Sequence, residues 1–238
     1  MRLRLILFFA VFIIPFGILC AAPQLDLATS ALFYRAGDGF FIADHPVLVS
    51  IHYFGVYGGW ILGFFCVSML AGCIARRQNI FGLSRKDWTF LIVTLIVGPI
   101  LITNVGFKNH WGRARPREVT EFGGTSQFSP AWQPQANSRT NTSFVSGDAS
   151  FGFFLPCLAY VVPRNSNSRL SRLTFWICTA VGILIGFDRL AMGAHFLSDV
   201  LGAAVLMTCA GLFIHTFMYG GKKTIGCWKV WFSSKYYG

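Results

Sequence analysis

The chain has 238 residues, of which 54% are hydrophobic and 12% charged, and its net charge is +11. A soluble domain carries roughly twice that charged fraction, so the composition excludes an ordinary soluble protein and points to an integral membrane one. The positive balance fits the basic inner loops of membrane proteins; with no zinc-finger, homeodomain or RNA-binding signature, no nucleic-acid partner is expected.

In chain order, six apolar runs approach the ~20 residues that a helix needs to cross a bilayer. They cover about 5–22, 47–75, 88–107, 149–163, 173–187 and 199–219. The expected fold is all-α, a single six-helix membrane domain over residues 1–238. The fourth and fifth runs are short, so their ends are expected to extend into the flanking residues. The first run follows "MRLR" and precedes "CAAP", a pattern shared with signal peptides. Kept as a helix it completes an even set, and that reading is adopted; Leu19 ahead of Cys20 makes "GILC" a poor lipoprotein site. Residues 23–46 hold a weakly amphipathic stretch, "LDLATSALFYRAGDGFF". It reads either as a helix on the membrane surface or as a loop with one helical turn. Residues 123–143 form a long loop rich in Gly, Pro, Ser and Asn, suited to gripping a substrate headgroup. The seven cysteines show neither a disulfide framework nor metal-ligand spacing and read as packing residues.

Orientation follows from the basic residues. With the N-terminus in the cytoplasm, 13 of the 20 Lys and Arg fall on the inner side and seven on the outer. Eight of the nine acids are also outer, so the inner side sums to +12 and the outer to −1. Both termini are then cytoplasmic. One outer stretch breaks the rule: "KNHWGRARP", residues 108–116, gathers Lys108, Arg113 and Arg115 beside His110.

Two further polar islands share that outer face, "SFVSGDAS" at 143–150 and "DRLAMGAHFLSD" at 188–199. The three are chemically complementary. In the first, Arg115 offers a forked donor pair to a phosphate, Lys108 adds a point charge, and Pro116 turns the chain out of its helix. In the second, Ser146 and Gly147 open a helix whose free N–H groups and dipole favour an anion. In the third, His195 and Asp199 are four residues apart, which on a helix puts them on one face. A carboxylate on one imidazole nitrogen leaves the other free to attack, and Arg189 is near enough to join them. Each island also has a plainer reading: an interfacial basic run, an N-cap by Ser146 or Asp148, a structural histidine.

Taken together, the islands resemble the three signatures of the type 2 phosphatidic acid phosphatase superfamily: Lys-x6-Arg-Pro, Pro-Ser-Gly-His and Ser-Arg-x5-His-x3-Asp. They stand here as Lys108 to Arg115-Pro116, Ser146-Gly147-Asp148, and Asp188-Arg189 to His195 to Asp199. Val145 and Asp148 replace the Pro and His of the second signature, and Asp188 replaces the Ser of the third. The stretches are most similar to the branch that removes the 4′-phosphate of lipid A. That resemblance implies a metal-independent phosphatase without a cofactor, embedded in a bacterial inner membrane with its site on the periplasmic face, acting on a lipid in the outer leaflet. Lys108, Arg115, Arg189 and the amides at Ser146 and Gly147 would bind the phosphate. His195 would form a phosphohistidine, with Asp199 orienting it. Asp148 is left with two roles: a protonated general acid, or an ionised residue orienting a donor such as His110; the local cations favour the second. Two other readings remain. One is a phosphatase for lipid A 1-phosphate, polyprenyl pyrophosphate or phosphatidylglycerophosphate. The other is a non-catalytic anion transporter, which leaves the His195–Asp199 spacing unexplained and calls for charges at membrane depth.

Overall fold

The computed structural model describes residues 2–135, 142–162 and 168–232. The distal part of the 123–143 loop, including Arg139, lies outside them. Helix α1 (Arg2–Ala21) ends just before Pro23, and α2 (Gln24–Ala31) leaves at 105° to it. A hairpin of two-residue strands follows, β1 (Tyr34–Arg35) and β2 (Gly39–Phe40), paired antiparallel with Tyr34 opposite Phe40. Residues 23–46 therefore contain a full helix turning into a hairpin. Asp26 and Ser30 of α2 are buried, so this helix packs against protein.

Helix α3 (Pro46–Arg76) begins with Pro at its first position, where a missing N–H costs nothing, and ends at Arg77 in the left-handed conformation. Helix α4 (Arg85–Leu95) starts from a capping box in which Ser84 and Asp87 exchange bonds. It continues as a π-helix over Ile96–Lys108. Pro99 lies inside and has no N–H for the α ladder. Helix α5 (Gly147–Phe154) runs through a tight turn at Pro156 into α6 (Leu158–Val161). Then come α7 (Ser168–Ala191), α8 (Leu197–Tyr219) and α9 (Gly221–Trp231).

Among the described residues, four helical stretches are long and apolar enough to cross a membrane: α3, Arg85–Lys108, Arg169–Ala191 and α8. The bent α1–α2 pair qualifies only as a unit, and Gly147–Val161 is shorter than a span. Of the six expected spans, four are thus met among the described residues. The apolar run at 149–163 forms two helices around Pro156 rather than one rod. Helix α5 packs on α7 and α8 at the centre.

Helix α9 was not expected, because the last apolar run ends at 219. Its signal lies in periodicity: Thr224, Cys227, Trp228 and Trp231 recur at helical spacing and are all buried. Trp231 stacks on Phe175 at 4.4 Å, and Trp228 Nε1 donates to the Tyr160 hydroxyl at 2.9 Å.

Candidate active site

His195, the expected nucleophile, sits where α7 turns into α8. His195 precedes α8 rather than belonging to it, so the shared-face argument from an i, i+4 spacing does not apply. The pair meets because Asp199, third residue of α8, folds back to accept the Phe196 N–H at 2.8 Å. That cap sets Asp199 Oδ2 3.7 Å from His195 Nδ1, slightly beyond a hydrogen bond. Ser143 bridges the gap: its Oγ donates to Asp199 Oδ2 and lies 3.4 Å from His195 Nδ1. The Nε2 atom has no hydrogen-bond partner among the described residues. His195 is 3% exposed. Burial, partly opposed by Asp199 and reinforced by the charges of Lys108 and Arg115, pushes its pKa down to about 4. The imidazole is therefore neutral at physiological pH, as a nitrogen nucleophile must be.

Asp199 is held from behind. Arg113, with a fully buried side chain, donates Nη1 to Asp199 Oδ1 and to Ser198 Oγ at 2.8 Å. Its Nη2 donates to Asp26 of α2 at 2.8 Å, and its Nε to the Ser129 carbonyl at 2.9 Å. Asp26 in turn accepts the Ser198 N–H at 2.9 Å. One guanidinium thus locks α2, the 123–143 loop and the first turn of α8 together. Of the basic cluster, Arg113 points into the protein, while Arg117 is exposed and gives its backbone N–H to Gly193.

The first turn of α5 forms the opposite wall. Ser146 caps it by accepting from the Ala149 N–H, and its own N–H goes to the Asp199 carbonyl at 3.3 Å. The Ser146 amide is therefore occupied. The N–H groups of Gly147 and Asp148 have no partner among the described residues and are the ones left for an anion. Gly147 lies close beneath the lysine: a Cβ there would stand 2.9 Å from Lys108 Nζ and push the ammonium aside. The absent side chain lets the Lys108 ammonium lie over the helix end.

Asp148 completes this wall. Its Oδ2 is 3.1 Å from Arg189 Nη1 and 2.9 Å from Nδ1 of His52 on α3. Arg189 Nη1 is also 2.7 Å from His52 Nδ1, and Nε and Nη2 of the same guanidinium donate to Asp188. Asp188 thus orients Arg189. The approach of α3 depends on Gly55, where a Cβ would meet Asp148 Cβ at 2.9 Å. Arg115 is half-buried, within electrostatic range of Lys108, Asp148, Arg189 and His195. His110 is exposed and bonds the Gly106 carbonyl at 3.0 Å; the histidine on Asp148 is His52. Among the described residues no three His, Cys, Asp or Glu side chains converge as metal ligands.

The model of the PAP2 superfamily matches residues 87–223, more than half of the chain. The chain belongs to the PAP2 superfamily. It is 30% identical over 203 residues to a lipid A 4′-phosphatase of Francisella tularensis subsp. novicida, covering 84% of this chain and 89% of that protein. A lipid A 4′-phosphatase of Rhizobium leguminosarum is 30% identical over 194 residues, covering 76% and 82%. The crystal structure of a transmembrane PAP2-type phosphatidylglycerolphosphate phosphatase from Bacillus subtilis superposes with a TM-score of 0.58 at 22% identity, over 88% of this chain and 94% of that one. The chain thus has the membrane fold of a PAP2 protein.

Two residues bonded to this candidate site, His52 through Asp148 and Asp26 through Arg113, lie upstream of the span that the family model matches. Sequence reasoning passed over His52, Asp26 and Ser143, and counted Arg113 only as charge. One signal was available: an ionisable residue inside an apolar helix, such as His52, is a functional candidate by default.

Proposed function

We propose that this PAP2 protein removes the 4′-phosphate of lipid A by way of a phosphohistidine on His195. The observation that carries the lipid reading is a cavity of about 590 Å³ with two unlike ends. Its polar end is Lys108, Gly147 and Asp148; the rest is walled by apolar residues of α3, α4 and the π-helix that continues α4, among them Trp60, Phe64 and Ile96. A phosphate seated on Lys108 would therefore have its acyl chains beside lipid. The choice of the 4′-phosphate rests on the two relatives aligned over most of their length.

Lys108, Arg115, Arg189 and the free amides of Gly147 and Asp148 surround the phosphate oxygens. His195 Nε2 attacks phosphorus, and water then hydrolyses the intermediate. This chemistry is mostly positioning and charge stabilisation. The site belongs to the periplasmic face of the inner membrane, with α1–α2 and Gly147–Val161 completing six crossings. Mass spectrometry of lipid A from a host expressing the gene should show loss of the 4′-phosphate. Loss of the 1-phosphate instead, or hydrolysis of phosphatidylglycerophosphate alone, would reject this substrate.

Two expected results test the arrangement. Neutralising Lys108, Arg115 or Arg189 should each slow turnover by about a hundredfold or more, the scale of a lost oxyanion donor. Arg35→Ala, at a position that stacks on Phe41 away from the signatures, should be mild. A larger loss at Arg35 than at Arg115 would contradict the binding set. For orientation, a reporter inserted at Thr125 should be periplasmic and one fused after Gly238 cytoplasmic. Both on one side would overturn the six-crossing arrangement.

A further inference from the structure

Protonation of the departing sugar oxygen is unassigned in the site as described. An alkoxide is a poor leaving group, so breaking its bond to phosphorus calls for a proton donor at that oxygen. In this chain Asp148 occupies the second signature's histidine position. Its carboxylate is 3.1 Å from the Arg189 guanidinium, an arrangement that favours the ionised form and removes the proton it would have to give.

The imidazole beside it is His52. It comes from α3, whose close approach at Gly55 brings its Nδ1 to 2.9 Å from Asp148 and 2.7 Å from Arg189 Nη1. Its side chain is 34% exposed, so the ring is accessible while one nitrogen is anchored. The site then holds two imidazole–carboxylate pairs. His195 with Asp199 is buried beneath the Ser143 bridge, and His52 with Asp148 lies against a phosphate-binding guanidinium. The charged groups facing His52 are Asp148 from α5, and Asp188 and Arg189 from α7.

We propose that His52 is the general acid, oriented by Asp148, and that it replaces an imidazole at position 148. The proposal rests on His195 being the nucleophile. In the acid form the His52 Nδ1–H donates to Asp148 in place of the Arg189 contact; as the bond from His195 Nε2 to phosphorus forms and the phosphorus–oxygen ester bond breaks, the Nε2–H of that imidazolium passes its proton to the leaving oxygen. The alcohol departs and His52 is neutral. In the second half, His52 takes a proton from the attacking water as the phosphorus–nitrogen bond breaks. Phosphate and free His195 result, and the imidazolium of His52 is restored.

The test compares two leaving groups in the same detergent micelles. With lipid A, whose 4′-phosphate is an alkyl ester, His52→Gln should lower kcat by about a hundredfold or more, the scale of general acid catalysis. With p-nitrophenyl phosphate, whose leaving group needs no proton, the loss should stay under about fivefold. Asp148→Asn should show the same selective loss, and His110→Ala should leave both rates near wild type. An alkyl-ester kcat of His52→Gln within about threefold of wild type overturns the proposal, whatever the aryl ester does. Equal loss on both esters also overturns it, since that marks a purely structural residue. His195→Ala in the same assay keeps the two readings apart. Turnover surviving there rejects the nucleophile, whereas its loss beside an unaffected His52→Gln rejects only the acid.

Discussion

His195→Ala should abolish phosphate release while leaving a folded protein in detergent. The ring is anchored on one side by the Ser143–Asp199 pair, and its other nitrogen has no hydrogen-bond partner among the described residues. Alanine removes that nitrogen and leaves the cap between Asp199 and Phe196 intact. A surviving rate above about a thousandth of wild type would argue against the phosphohistidine route, since nucleophile removal in comparable sites costs more. Turnover should also survive EDTA, because in the proposed site Lys108, Arg115 and Arg189 would supply the positive charge around the phosphate; loss on chelation would reopen a metal route. The pH profile gives an independent check. An ordinary histidine titrates near ~6.5, whereas burial holds this one at about 4. A lowered pKa means that the neutral nucleophile persists as pH falls from 7, and protonation blocks it only near 4. The acid limb of kcat/KM attributed to His195 should therefore lie closer to 4 than to 6.5. The profile of His195→Gln, if any rate remains, should lack it.

How far the sequence reached into this site depends on the distance between partners along the chain. Lys108 with Arg115, and His195 with Asp199, are local spacings, and the structure brings Lys108 and Arg115 within electrostatic range of His195. Membrane helices are legible because each must bury its own backbone polar groups over a fixed length, so α3, α4 with its π extension, α7 and α8 follow from hydropathy alone. The contact from His52 to Asp148 spans 96 residues and that from Arg113 to Asp26 spans 87. Nothing local announces such pairs; they arise from how α2 and α3 pack. The same holds for the backbone of Ser146. Its place at a helix start was readable, but the donation of its N–H to Asp199 was not, and that bond moves the available donors on to Gly147 and Asp148. Helical spacing likewise predicts a shared face for His195 and Asp199, where the chain instead makes a cap.

Arg113 should prove as damaging to lose as any residue in the site, through stability as well as rate. Its side chain is fully buried between the equally buried carboxylates of Asp26 and Asp199. Arg113→Gln leaves both acids without their cation, and breaking a buried pair from one side costs about 3–5 kcal/mol. Arg113→Lys should recover little, because a single ammonium cannot fork between two carboxylates, Ser198 and the Ser129 carbonyl. Asp26→Asn should be milder, since the amide oxygen can still accept from Ser198 or Arg113. The diagnostic comparison is the double variant Asp26→Asn with Arg113→Gln. With one of the two buried charges gone, it should unfold at a higher temperature than Arg113→Gln alone, a coupling expected of residues that share one network. Its kcat should also exceed that of the single variant, because without a second uncompensated carboxylate nearby Asp199 stays ionised more readily. Thermal unfolding in detergent together with kcat on the lipid substrate decides the matter. If Arg113→Gln melts with the wild type, the buried cation is not what holds Asp199. If the double variant is less stable than Arg113→Gln, Arg113 is needed for packing rather than for balancing two charges.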